Sequence, residues 1–240
     1  MQTVFERNET KYLITPFQAS QLVEVLLASN MKPGYHDAYW VQNLCYDTEN
    51  WDIIHTSMEK PYYKEKMRLR CYGMFETTDY LFLELKKKCS GVAYKRRLPI
   101  LSNDILEYSI EEILSKDSSQ ISKELAYHIQ RTSVAPRLYI AYFREVFAGL
   151  LDDGLRLTLD SQISYRLDTL HFTEPQLGCA LLNSNTILLE IKTLTNIPLW
   201  LAHLLCDIGI FSSSFSKYAT CIMDWLEKSK LNSTTAQSKV

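Results

Sequence analysis

The chain has 240 residues, 46% of them hydrophobic and 22% charged, which is enough to bury a substantial core and ordinary for a globular protein. A net charge of −2 excludes nucleic-acid binding by bulk electrostatics; no run approaches the roughly 20 apolar residues of a membrane span, and the N-terminus has no apolar signal-peptide core. Six cysteines with no C-x-x-C pair exclude a disulfide framework and a zinc site, so a cytoplasmic protein with reduced thiols is expected.

Phe5 to Ile14 reads as a short strand with Arg7, Glu9 and Lys11 on one face. Pro16 opens a helix in which Leu22, Val25 and Leu26 are spaced for one buried face. Tyr39 to Thr48 is a second strand, and a helical or irregular stretch follows from Asn50 to Met58. Next comes a basic hairpin. Lys66, Arg68, Arg70 and Tyr72 alternate with Met67, Leu69 and Cys71; after a turn over Gly73 to Asp79, Leu81, Leu83 and Leu85 alternate with Phe82, Glu84 and Lys86. Cys89-Ser90-Gly91 makes another turn. Val92 to Ile100 is then a strand with both faces partly polar: Lys95 and Arg97 share one with Ala93, Tyr94 and Arg96 share the other. Register alone leaves open which of these charges points inward.

Between Leu101 and Thr132 the period changes to that of helices. Ser102 or Asn103 caps a helix holding Ile105, Leu106, Ile110, Ile113 and Leu114, and a second helix spans Gln120 to Gln130. Strands resume at Pro136. Arg137 to Leu150 sets Tyr142 and Arg144 against Ala141, Phe143 and Phe147, and Asp152-Asp153-Gly154 is a tight-turn signal. Leu155 to Asp160 sets Arg156, Thr158 and Asp160 against Leu155, Leu157 and Leu159. Thr186 to Leu194 sets Glu190 and Lys192 against Ile187, Leu189 and Ile191. Pro198 opens a helix, and Phe215-Ser216-Lys217-Tyr218 leads into a last one through Trp225. Residues 1–229 form one domain; the polar stretch 230–240 is expected to be disordered.

Charge is concentrated. Between Lys60 and Arg97 there are eleven Lys/Arg against four Asp/Glu, a local charge of +7 that leaves −9 on the rest of the chain. About eight strands emerge, a number at which an antiparallel sheet can close into a barrel. For one strand alone, a charged face is most cheaply explained as surface. Several amphipathic helices, however, need an apolar sheet surface to pack on; if they cover the outside, the charged faces line the inside. The fold class is therefore α+β, an eight-stranded antiparallel β-barrel with helices packed outside. Arg offers phosphate a bidentate fork and Lys a mobile point charge. Acids among the bases, Glu9, Glu84 and Glu190, can hold a divalent cation that bridges phosphate oxygens.

The segments Arg7-x-Glu9-x-Lys11-Tyr12, Leu44-Cys45-Tyr46-Asp47-Thr48, Arg68-Leu69-Arg70-x-Tyr72-Gly73, Leu83-Glu84-Leu85-Lys86, Tyr142-x-Arg144, Arg156-x-Thr158-x-Asp160, Leu189-Glu190-Ile191-Lys192 and Ser216-Lys217-Tyr218, in this order and spacing, resemble the VTC domain. That domain is the catalytic part of the vacuolar transporter chaperone polyphosphate polymerase; the likeness is to its free-standing bacterial form, without a phosphate-sensor or membrane domain. The resemblance implies a triphosphate tunnel metalloenzyme fold, Mn²⁺ or Mg²⁺, and transfer of the ATP γ-phosphoryl group to a growing polyphosphate chain. By motif position it implies that Lys11, Arg68, Arg70, Lys86, Arg144, Arg156, Lys192 and Lys217 bind phosphates, with Lys95 beside them. Tyr142 and Ser216 would donate hydrogen bonds. Glu190 would be the metal ligand, and Glu9 and Glu84 would support the metal or orient neighbouring bases. The catalytic set would be Arg68, Arg70, Lys86, Lys192 and Lys217. Implied partners are ATP, polyphosphate or tripolyphosphate, and orthophosphate or pyrophosphate; a membrane partner stays open. Cys45 is read as packing. The same wall also suits a metal-dependent hydrolase of tripolyphosphate or nucleoside triphosphates, or a non-catalytic polyphosphate-binding module.

Overall fold

In a computed structural model that describes all residues except 1–3, 6–7, 30, 91, 150–153, 173 and 238–240, the chain opens with β1 (Val4–Phe5), β2 (Asn8–Ile14) and α1 (Pro16–Ala28). Local signals set the start of α1. Thr15 Oγ1 accepts from the Gln18 N–H at 3.2 Å, Gln18 Oε1 accepts from the Thr15 N–H at 3.0 Å, and Pro16 takes the first helical position, where its missing N–H costs nothing. There follow β3 (Met31–Asp47), α2 (Asp52–Met58), β4 (Tyr63–Tyr72), β5 (Tyr80–Cys89) and β6 (Val92–Leu101).

The single helix expected to hold Ile105 through Leu114 is two, α3 (Ser102–Glu107) and α4 (Ile110–Lys116). Ser109 divides them with its own capping box. Its Oγ accepts from the Glu112 N–H at 3.2 Å, and Glu112 accepts from the Ser109 N–H at 2.8 Å. The second helix, α5 (Gln120–Thr132), lies where its spacing placed it. The remainder is β7 (Ala135–Gly149), β8 (Arg156–Arg166), the two-residue β9 (Cys179–Ala180), β10 (Ile187–Thr193), α6 (Leu199–Asp207) and α7 (Lys217–Gln237). α7 runs on into the stretch read as a disordered tail, which contains no Gly or Pro to stop it. Arg7, Asp152, Asp153 and Gly91 of the sequence motifs fall outside the described residues.

The sheet is antiparallel, in the order β1-β6-β5-β4-β3-β7-β8-β10-β2, with β9 beside β8. Eight of its ten strands have seven or more residues, and the other two have two each. The ends of this order, β1 and β2, are consecutive in the chain. Phe5 and Asn8 are three Cα–Cα steps apart, at most about 11 Å, so the covalent chain draws the two edges together and the sheet curls into a tunnel.

The apolar faces point outward. Leu69, Leu83 and Leu85, none more than 2% exposed, pack with Tyr139 and Ala141 under Leu114 of α4 and Leu125 and Ile129 of α5. Leu157, Leu159, Leu189 and Ile191 pack under Leu22 and Leu26 of α1 and Leu201 and Leu205 of α6. Each such leucine contributes about 1.5–3 kcal/mol by leaving water. With every helix-covered face apolar, the alternate residues of the same strands have only the interior to face. α7 is different: Tyr218, Cys221 and Ile222 pack against Cys45, Ile140 and Tyr142, so its first turn reaches the inner wall.

Candidate active site

The inward residues enclose a cavity of about 270 Å³, lined by nine Lys/Arg side chains and three glutamates. Lys11 comes from β2; Lys66, Arg68 and Arg70 from β4; Lys86 from β5; Lys95 from β6; Arg144 from β7; Lys192 from β10; Lys217 from α7. Glu9, Glu84 and Glu190 are the acids. The question left open for β6 is settled by pairing. Lys95 and Arg97 turn inward to Glu84, whereas Arg96 turns out to Glu124 of α5, 2.8 Å away.

Glu190 and Glu84 organise the wall in different ways. Glu190 is 6% exposed and sits among four cations: Lys217 at 2.9 Å, Lys192 at 3.1 Å, Arg144 at 3.6 Å and Lys11 at 3.9 Å. Burial pushes its pKa up, but Lys217, Lys192 and Arg144 outweigh that and hold it well below the usual carboxylate range. Glu84 is 2% exposed and saturated. Arg68 donates twice to Oε2, from Nε at 2.8 Å and Nη2 at 2.7 Å, while Lys95 at 2.6 Å and both Nε (2.7 Å) and Nη2 of Arg97 take Oε1. A carboxylate has about four lone-pair positions, so nothing on Glu84 is left for a metal. The expectation that Glu84 supports a metal gives way to the alternative, that it orients neighbouring bases.

Two further groups fix the arginines. Arg70, 6% exposed, donates Nε to Asn43 Oδ1 at 2.8 Å and reaches the hydroxyls of Tyr72 and Tyr142 at 3.3 Å. Arg144 makes a bidentate pair with Asp160, at 2.6 and 2.7 Å, and Asp160 also holds Lys217 at 2.5 Å. Burial disfavours the Lys217 charge, yet Asp160 and Glu190 keep its pKa above the ordinary value. Lys217 is placed by the start of α7, where Ser216 caps the helix by accepting from the Ala219 N–H at 3.4 Å. Tyr218, next in line, donates its hydroxyl to buried Asp47 at 2.6 Å, and Asp47 also accepts the N–H groups of Ile53 and Ile54 at 2.9 and 3.1 Å. α2 and α7 are thus tied to one carboxylate.

The comparisons with known proteins agree with this architecture. The model of the VTC domain family matches residues 6–226. The chain belongs to the VTC domain family. Among curated proteins, no match to it was found. Among solved structures, a candidate adenylate cyclase from Vibrio parahaemolyticus matches with a TM-score of 0.50 at 10% identity, covering 92% of this chain and 99% of that one. The PH1819 protein of Pyrococcus horikoshii OT3 (TM-score 0.46, 13% identity, 90% and 99% covered) and the Mimivirus capping enzyme triphosphatase (TM-score 0.40, 9% identity, 85% and 89% covered) are more distant. At such identities the likeness is one of fold, and the VTC chain has the triphosphate tunnel fold.

Ten of the eleven phosphate-binding candidates line this VTC tunnel: Lys11, Arg68, Arg70, Lys86, Lys95, Tyr142, Arg144, Lys192, Ser216 and Lys217. Arg156 does not. It continues the inward alternation of β8, opposite Lys192, but it is exposed and lies beyond the cavity. Glu9 and Glu190 both face the cavity, and Lys192, Lys11 and Lys86 keep the Glu9 pKa low against burial and against Glu190. Cys45 also faces it, but burial pushes its thiol up to about 11, which fits packing rather than chemistry. Among the described residues no group of three or more His, Cys, Asp or Glu is placed to hold a metal on its own.

Lys66 was missed as a site residue although its alternation with Arg68 had already put it on this face. Burial, and then the nearness of Lys64, Lys11 and Lys86, lowers its pKa to about 8. Lys95 is lowered to about 8 by burial, with Glu84 opposing. Asp160, Asp47 and Tyr218 carried no signal beyond membership of a motif, and Asn43 none beyond its place in a strand, because their roles depend on partners far away in the chain.

Proposed function

We propose that this VTC domain is an ATP-dependent polyphosphate polymerase. The observation that carries this is the lining of the cavity: nine cations against three carboxylates, of which one, Glu84, is fully used by Arg68, Lys95 and Arg97. An excess of fixed positive charge in a partly desolvated channel suits a linear polyanion. In this reading Arg70 and Arg144, rigidly oriented by Asn43 and Asp160, grip the transferred phosphoryl group and its neighbours. Lys11, Lys86, Lys95, Lys192 and Lys217 neutralise charge along the chain, while Tyr142 and Ser216 supply hydroxyl donors.

A terminal oxygen of the acceptor phosphate attacks the γ-phosphorus of ATP. The bond from that phosphorus to the β,γ-bridging oxygen breaks, its electron pair leaves with ADP, and the acceptor is one phosphate longer. The nucleophile is already an anion near neutral pH, so the step needs alignment and charge stabilisation but no general base. The lining fits such a reaction: it contains no histidine, and Glu190 and Glu9 are held as weak bases by neighbouring lysines. Mn²⁺ or Mg²⁺ suits the hard oxygen donors of Glu190 and Glu9, completed by phosphate oxygens as such ions usually are, and would offset charge on the transferred group. Purified protein given ATP and Mn²⁺ should produce a ladder of polyphosphate. Production of ADP and orthophosphate alone would refute the polymerase reading.

A further inference from the structure

The strand register divides the β4–β5–β6 wall into rungs that differ in charge balance. Arg68, Glu84 and Arg97 face one another across the three strands, a compensated rung. One step along, Lys66, Lys86 and Lys95 face one another; one step further, Lys64 faces Lys88, with Ala93 beside it. Directly opposed positions are about 4.5–5.5 Å apart at Cβ, where like charges repel. Among the described residues, none of Lys64, Lys66, Lys86 and Lys88 forms an ion pair with a carboxylate, whereas Lys87, on the outer face, pairs with Glu65 and Glu124.

Lys64 and Lys88 lie two residues beyond Lys66 and Lys86, hence on the same inward alternation, but outside the enclosed cavity. Lys64 is held in place by donating to the Ser57 carbonyl of α2 at 3.2 Å. Lys64 and Lys88 are direct partners across β4 and β5, so their ammonium groups share this mouth, and burial together with the nearness of Lys88 lowers the Lys64 pKa. From Arg70 to Lys64 the basic column runs six residues, about 20 Å at the usual strand rise. The opposite end of the same wall ends in Phe82 and Pro99, and its aromatic and arginine side chains are already packed on one another: Arg97 lies 4.7 Å over Phe82 and donates to the Tyr72 hydroxyl at 2.8 Å. Uncompensated charge is therefore concentrated toward one mouth.

We propose that Lys64 and Lys88 form a phosphate-binding site at this mouth, which carries a linear polyphosphate out of the cavity and makes the tunnel grip chains longer than a triphosphate. This rests on the polymerase reading for its substrate class, but binding without turnover tests it separately. Affinity is measured in the presence of a chelator for tripolyphosphate and for a linear polyphosphate at least twice as long. Lys64→Gln with Lys88→Gln should weaken the longer chain on the order of tenfold, from two charge contacts at the mouth, and leave tripolyphosphate binding unchanged, which also reports an intact fold. Lys64→Arg with Lys88→Arg should retain the longer-chain affinity. Equal losses for both ligands, or no loss for the longer one, would overturn the site. If the double glutamine variant fails to fold, Lys88→Gln alone must still reduce the preference for the longer chain, since Lys88 is exposed and makes no contact that holds the fold. A polymerase that makes long chains equally well without these lysines refutes this site and leaves the proposed activity standing; a site that binds long chains in a protein without transferase activity does the reverse.

Discussion

Replacing Glu84 with glutamine keeps the shape of the side chain and removes its charge, leaving Arg68, Lys95 and Arg97 around a neutral amide. Removing one member of a buried ion pair costs about 3–5 kcal/mol because the remaining charges lose their partner. Here the three cations are 37%, 33% and 26% exposed at the side chain, so water relieves part of the loss and the lower end, about 3 kcal/mol, is expected. Against a total stability of about 5–15 kcal/mol, urea unfolding near neutral pH will register that as a large drop in midpoint. Tripolyphosphate should stabilise Glu84→Gln more than it stabilises wild type, since it gives the freed cations an anion. The pH dependence has a definite sign. The cations depress the Glu84 pKa in the folded protein despite burial, so its contribution is present above the unfolded value of about 4.3 and is lost as pH falls below it. The gap between wild type and variant should therefore narrow on acidification. The Mn²⁺ requirement of the variant should match that of wild type. A stability within about 0.5 kcal/mol of wild type, or a weakened Mn²⁺ response, would refute the view of Glu84 as an anchor with no free lone pair.

Glu190→Gln should lower metal-dependent turnover on the order of a hundredfold while tightening metal-free tripolyphosphate binding, because a negative charge leaves the cavity; an Mn²⁺ titration and calorimetry check the two arms. Binding of tripolyphosphate should take up protons near pH 8. Lys66 and Lys95 have pKa values of about 8 in the free protein, an anion raises them, and the ammonium form fills between the two values. Calorimetry in buffers of differing ionisation enthalpy measures the uptake, and Lys66→Met should reduce it. Tyr218→Phe removes one hydrogen bond to Asp47, costing about 1 kcal/mol, and frees the turn that carries Ser216 and Lys217. Turnover should fall while α2 keeps its Asp47 contacts, seen as unchanged amide protection at Ile53 and Ile54.

The inward direction of the charged faces was readable because it follows from the apolar ones. Leu83 and Leu85 could be buried only under helices, and the helices between Leu101 and Thr132 had to cover something; Glu84 and Lys86 then had one side left. Where both alternations of a strand were polar, as in Lys95-Arg96-Arg97, no such inference existed until Glu84 and Glu124 were seen on opposite sides. The division of α3 from α4 was written in Ser109-x-x-Glu112 but was outweighed by the apolar residues on either side, Ile105 and Leu106 before it and Ile110, Ile113 and Leu114 after it. Asp47 and Asp160 were illegible as functional supports for another reason. Asp47 meets Tyr218 171 positions away, and Asp160 meets Lys217 57 positions away, pairings that a single sequence does not encode by period or spacing.

The placement of acids explains why carboxylates in one wall are not interchangeable. Glu84 stands between two arginines of neighbouring strands and also takes Lys95 from the next rung, so its charge is consumed by fixed cations of the wall whether or not substrate is present. Glu190 sits where four cations converge from β2, β7, β10 and α7. Asp160 fixes Arg144 and Lys217, while it does not hold Lys11 and Lys192; on the polymerase reading these two turn to a phosphate oxygen when one arrives, which would free the carboxylate for an ion carried in with the substrate. In the lysine rungs beside them only Lys95 reaches a carboxylate, that of Glu84, and Lys64, Lys66, Lys86 and Lys88 pair with none among the described residues. The repulsion among these four is a cost the folded protein carries when no anion is bound, offset by the leucine-rich outer face, and an anion long enough to pass all of them would relieve it. On the polymerase reading, stability withheld in the free protein in this way becomes affinity for a polymer, and the longer the chain, the more of it is recovered.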